Sequence, residues 1–129
     1  MSKRKITFEL YSYGIYSEWQ RDSSQIPKLL EITNRIPVRE GVEFGYVLNI
    51  KGAKGRTLNY RIDHPVFLDG EGMVAPPFEG EYFINSNDYA FFLGDTVWLP
   101  LEDKAGEWIL TTWLDGKLLA SKKLLLYLE

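Results

Sequence analysis

Cysteine is missing from this 129-residue sequence. That absence excludes disulfides, thiolate nucleophiles and cysteine-based zinc sites together, and leaves the redox compartment open. Histidine is nearly missing too. His64 is the only one, and a typical protein zinc site takes two or more His or Cys ligands. No apolar run approaches the roughly 20 residues that would span a bilayer, so no membrane partner is expected. The start, MSKRKITFEL, is basic but has no apolar h-region and no small-residue cleavage site. The expectation is a complete cytoplasmic protein. Charge of one sign is not in excess either. A formal net charge of −3 lacks the concentrated basic surface of a dedicated nucleic-acid or anionic-membrane binder.

What is abundant is aromatic. Phe, Tyr and Trp make up 15% of the chain, and together with β-branched residues they suit a pleated surface. Alternation with a period of two recurs. Ile6, Phe8 and Leu10 alternate with Thr7, Glu9 and Tyr11, and Tyr13 to Tyr16 extend that run past a glycine bend. Residues 29–33 are read as a strand in preference to a single helical turn opened by Pro27. Val42, Phe44, Tyr46, Leu48 and Ile50 form the clearest one, and Leu58, Tyr60 and Ile62 provide its expected return in a hairpin. Residues 65–81 are rich in Pro and Gly and read as irregular, wrapping one end. Residues 82–84, 89–93 and 96–99 complete the set. No helical periodicity, low-complexity tract or repeat appears. The fold class is therefore all-β: a single domain over residues 1–129, an immunoglobulin-like antiparallel β-sandwich of seven to eight strands. The inter-sheet cysteine pair of antibody domains is absent.

The last 24 residues before Glu129 organise the rest. Two apolar runs flank Asp115-Gly116, a strong hairpin signal because both residues tolerate a positive φ. A two-residue loop pairs Leu114 with Lys117. A three-residue loop, Leu114-Asp115-Gly116, pairs Trp113 with Lys117 and puts Trp108, Leu110 and Thr112 on one face with Leu118, Ala120, Leu124 and Leu126. Because a one-residue slip exchanges faces, the second pairing yields the cleaner apolar core and is the expected one. The opposite face then carries Ile109, Trp113, Leu119, Leu125 and Tyr127, which is not a polar set.

Several segments resemble a bacterial family of single-domain proteins catalogued only as a domain of unknown function. They are Tyr13-Gly14-Ile15-Tyr16, Arg35-Ile36-Pro37, Gly41-Val42-Glu43-Phe44-Gly45-Tyr46, Ile62-Asp63-His64-Pro65, Phe92-Leu93-Gly94-Asp95-Thr96-Val97-Trp98, and Gly106-Glu107-Trp108 followed by Asp115-Gly116-Lys117. The resemblance spans nearly the whole chain. It implies a bacterial source and a β-sandwich, and supplies no activity, ligand or catalytic residue.

Chemical motifs are sparse. Asp63-His64 lacks a nucleophile elbow of the G-x-S-x-G kind. The glycines of Gly70-Glu71-Gly72-Met73-Val74-Ala75 match a dinucleotide fingerprint, yet Pro76-Pro77 forbids the helix that would receive a pyrophosphate. Gly52-Ala53-Lys54-Gly55-Arg56-Thr57 has the wrong glycine spacing for a phosphate loop. The loop acids Asp69, Glu71, Asp88, Asp95, Glu102 and Asp103 have turn chemistry as their ordinary explanation. No catalytic residue, cofactor or metal site is assigned. The leading expectation is a non-enzymatic binding or assembly module, with a protein or a second copy in a homodimer as partner. Its surface is Ile109, Trp113, Leu119, Leu125 and Tyr127, unless residues 17–25 cover that face. The alternative is carbohydrate or small-ligand binding through Tyr16, Trp19 and Trp98. A hydrolase using the loop carboxylates or Asp63-His64 ranks last.

Overall fold

The alternating runs form nine strands in a computed structural model that describes residues 5–18 and 25–129. They are β1 (Thr7–Tyr16), β2 (Leu29–Ile32), β3 (Arg35–Pro37), β4 (Glu43–Lys51), β5 (Thr57–Asp63), β6 (Phe78–Phe83), β7 (Asp88–Thr96), β8 (Gly106–Leu114) and β9 (Lys117–Tyr127). One sheet runs β2-β1-β4-β7 and the other β3-β9-β8-β5-β6. The order β9-β8-β5-β6 facing β4-β7 matches strands G-F-C-C′ facing B-E of an immunoglobulin sandwich. The count exceeds seven or eight because residues 29–37 change sheets midway. β2 pairs antiparallel with β1, and β3 pairs in parallel with β9.

Two expected pairings are corrected. β4 and β5 do not form a hairpin. β4 is buried along most of its length, with Phe44, Tyr46, Leu48 and Ile50 inward and Val47 covered on the other face. Such a strand needs a neighbour on each side, and β1 and β7 take both places. The link to β5 therefore arches to the opposite sheet, anchored by buried Ala53 and bent at Gly52 and Gly55, whose φ values are 82° and 90°.

The C-terminal loop has two residues, not three. Leu114 pairs with Lys117, and Asp115 (φ 49°) and Gly116 (φ 82°) both take the positive φ of a type I′ turn, whose twist suits the flanking strands. A bulge then absorbs the extra residue: Trp113 pairs with Leu118 and Thr112 with Ala120. The bulge restores the expected inner face of Trp108, Leu110, Thr112, Ala120, Leu124 and Leu126, but it exchanges two leucines. Leu119 turns into the core at 9% exposure, and Leu118 turns out at 53%.

Trp108 sits at the centre of the core. Its ring meets Phe44 edge-on at 5.2 Å, and its Nε1 donates to the Lys104 carbonyl at 2.8 Å. Tyr46 and Thr112 share a buried hydroxyl hydrogen bond of 2.5 Å between the sheets. On the outside of the four-stranded sheet Gly14, Gly45 and Gly94 stand side by side. A Cβ at Gly94 would lie 2.0 Å from the Phe44 carbonyl oxygen and 2.7 Å from the tip of Phe92. Tyr16 and Phe92 pack edge to face at 4.9 Å beside this bare row.

Candidate interaction surface

The sandwich separates the expected site residues that lie among those described. Ile109, Trp113, Leu125 and Tyr127 do share the outer face of the five-stranded sheet, where Trp113 is half-buried next to Asn59 and Leu118. They do not make one patch. Thr111 and Ser121 lie between Trp113 and Ile109, and the Arg35 guanidinium covers the Tyr127 ring at 5.1 Å. Leu119 is a correction: the bulge puts it inside, and Leu118 takes its position beside Trp113.

Tyr16 is a strand residue buried against Phe92, and its hydroxyl is hydrogen-bonded to Ser12 at 2.8 Å. Burial, opposed by that hydrogen bond, pushes its phenol up to about 12. It offers no open ring face to a ligand. Trp98 is half-buried at one end of the sandwich, edge-on to Phe67 at 5.6 Å, with the Lys104 amine 4.5 Å from its ring centre. Trp19 lies outside the described residues.

Asp63 and His64 diverge. Asp63 accepts from Arg61 Nε at 2.9 Å. His64 stacks on Phe67 at 4.2 Å, and its Nδ1 and Nε2 lie 2.7 and 2.8 Å from the carbonyl oxygens of Pro65 and Pro76. Both ring nitrogens are engaged in holding the irregular segment against the end of the sandwich. Asp69 behaves as a turn former, its Oδ1 accepting the backbone N–H groups of Glu71 and Met73 at 2.9 and 3.0 Å. Among the described residues no group of three or more His, Asp or Glu is placed to hold a metal ion.

A different feature emerges on the flank where the chain changes sheets. β2 pairs with β1 only at residues 14–16, and β3 pairs with β9 only at residues 125–127. Among the described residues, no strand pairs with the outer edges of residues 7–13 of β1 and 117–124 of β9. Next to these edges lies a cleft of about 220 Å³ lined by Ile6, Phe8, Leu114 and Leu119, with Arg56, Asp115 and Lys117. Phe8 and Leu10 have the inward parity of β1 yet remain 37% and 39% exposed. The rim is basic. Lys117 Nζ lies 5.5 Å from the centre of the Phe8 ring, and Lys122 Nζ lies 3.8 Å from that of Tyr13. An ion pair between Arg56 and Asp115 ties the arch to the hairpin turn. Unpaired backbone, apolar side chains and a cationic rim together suit an extended polypeptide with apolar and acidic residues. Sequence reasoning missed this flank because the pattern of β1 shows which residues face inward and not which neighbour stops short.

The comparisons agree with this architecture. Residues 4–124 match the family model described as Domain of unknown function (DUF3859). No curated protein matches the chain. The crystal structure of an immunoglobulin-like protein from Pseudomonas aeruginosa superposes with a TM-score of 0.78 at 19% identity, covering 98% of this chain and 100% of that one. The DNA-bound alkylpurine DNA glycosylase AlkC of Pseudomonas fluorescens reaches a TM-score of only 0.40 at 15% identity, over 72% of this chain and 27% of that one. That superposition is too loose to define a shared fold.

Proposed function

We propose that this chain, which belongs to the family described as Domain of unknown function (DUF3859), is a non-enzymatic protein-binding or assembly module working through its open flank. The observation that carries the reading is the coincidence, among the described residues, of two unpaired strand edges with core-facing side chains left in solvent. Phe8 and Leu10 belong to the inner face of β1 and lie beyond the stretch, residues 14–16, where β2 widens the sheet. Free strand edges are templates for strand addition, in which main-chain hydrogen bonds supply affinity and alternate side chains fill pockets. Charged side chains alone would protect an edge; exposed Phe8, Leu10 and Tyr11 work against protection.

The test compares polypeptides captured from a bacterial lysate by the wild-type protein and by two folded variants. Leu10→Glu should abolish capture by placing a charge where an apolar contact is needed, and Trp113→Ala should leave it intact. The reverse result would move the binding surface to the outer face of the five-stranded sheet and defeat the open-flank reading.

A further inference from the structure

We infer that the polypeptide received by the open flank is the β6 edge of a second copy of this chain, laid along the free half of β9. This rests on the open-flank reading and names its partner. β6 is the far edge of the same five-stranded sheet: it pairs with β5, and no described strand pairs with its other side. Its sequence, Phe78-Glu79-Gly80-Glu81-Tyr82-Phe83, is both acidic and aromatic. Tyr82 and Phe83 are 42% and 62% exposed, large values for rings on an otherwise ordered strand.

The two edges are complementary residue by residue. Glu79, Glu81 and Phe83 share the outer face, since they align with Arg61, Asn59 and Thr57 across β5. On β9 the outer face carries Lys123, Ser121 and, beyond the bulge, Leu118. Antiparallel docking with Glu79 opposite Lys123 sets Tyr82 opposite Ala120, near the exposed Phe8 and Leu10, and brings Phe83 to Leu118. Opposite charges meet at one end and apolar side chains at the other. Lys123 already faces Glu107 at 3.6 Å, but that pair is open to solvent on both sides, so exchanging one carboxylate for another costs little.

Like edges repel. Two β9 edges would oppose Lys117, Lys122 and Lys123 to one another, and two β6 edges would oppose Glu79 and Glu81. This disfavours symmetric pairing of either edge with itself and favours the head-to-tail contact, in which each pairing leaves one free β6 at one end of the assembly and one free β9 at the other. Assembly then closes into a ring or lengthens as a continuous sheet.

Sedimentation velocity over a concentration series decides it. The wild type should show concentration-dependent growth beyond the monomer that weakens at high salt. Glu79→Lys and Lys123→Glu should each weaken association by about ten-fold or more, since each opposes like charges across the contact. The double variant E79K/K123E should recover it, with circular dichroism confirming the fold of all three. A strictly monomeric wild type, an association indifferent to both charges, or a double variant no better than the singles would overturn the proposal. A monomeric wild type whose lysate partner still depends on Leu10 would overturn the second copy alone and leave the open-flank reading standing.

Discussion

Two phenols illustrate how single residues fix a working range. Tyr46 is fully buried between the sheets, and burial raises its phenol against the opposing hydrogen bond from Thr112. Tyr16 is raised to about 12 for the same reason. In the unfolded chain both ionise near the ordinary phenol value of about 10. Their contribution is therefore complete below about pH 10 and is lost as pH rises through the folded values, because the unfolded state releases its protons first. Urea denaturation midpoints measured from pH 8 to pH 12 should hold steady and then fall above about pH 10. Tyr46→Phe should flatten part of that fall, while costing about 1 kcal/mol at neutral pH by leaving the Thr112 hydroxyl without its partner. Residues of this kind were partly legible: Tyr46 stood on the clearest alternating strand, but its partner lies 66 positions away on the other sheet, and alternation contains no inter-sheet pairing.

The element most informative in the sequence, the C-terminal hairpin, was legible in its inner face and not in its mechanism. Trp108, Leu110, Thr112, Leu124 and Leu126 point inward as the pattern required. The tight type I′ turn would by itself put the wrong parity inside, and the bulge after Leu118 reverses it. Both solutions satisfy the same apolar pattern, so composition could not separate them. Two adjacent leucines distinguish them. Leu119→Ala should lower stability by about 2–4 kcal/mol as a core truncation, and Leu118→Ala by no more than about 0.5 kcal/mol as a surface change. Equal losses in chemical denaturation, or the opposite order, would contradict the bulged register. The mistaken β4–β5 hairpin arose differently. Residues 52–56 have turn composition whether they reverse a strand within one sheet or arch between two. Only the burial of both faces of β4 settles which, and that depends on neighbours β1 and β7.

At the scale of the molecule, the all-β sandwich was legible because strand period and turn punctuation are local properties. The open flank was not, because an open edge is a relation between elements: β2 stops short on β1 and β3 stops short on β9. The far end of the sandwich is built the other way, closed by a single amine. Lys104, in the 3-10 turn Glu102–Lys104, is 2% exposed. Its Nζ lies 4.7 and 4.5 Å from the ring centres of Phe67 and Trp98, and donates to the Pro100 carbonyl at 3.0 Å and to Asp103 at 2.6 Å. An amine so enclosed becomes a built-in timer. Acylating reagents meet Lys54 and Lys117 in open solvent but reach Lys104 only when this corner parts, so mass spectrometry should find it modified at least about 100-fold more slowly. With added urea, that lag should shorten in step with the loss of the near-ultraviolet signal of the packed aromatic rings, reporting when this end of the sandwich comes apart.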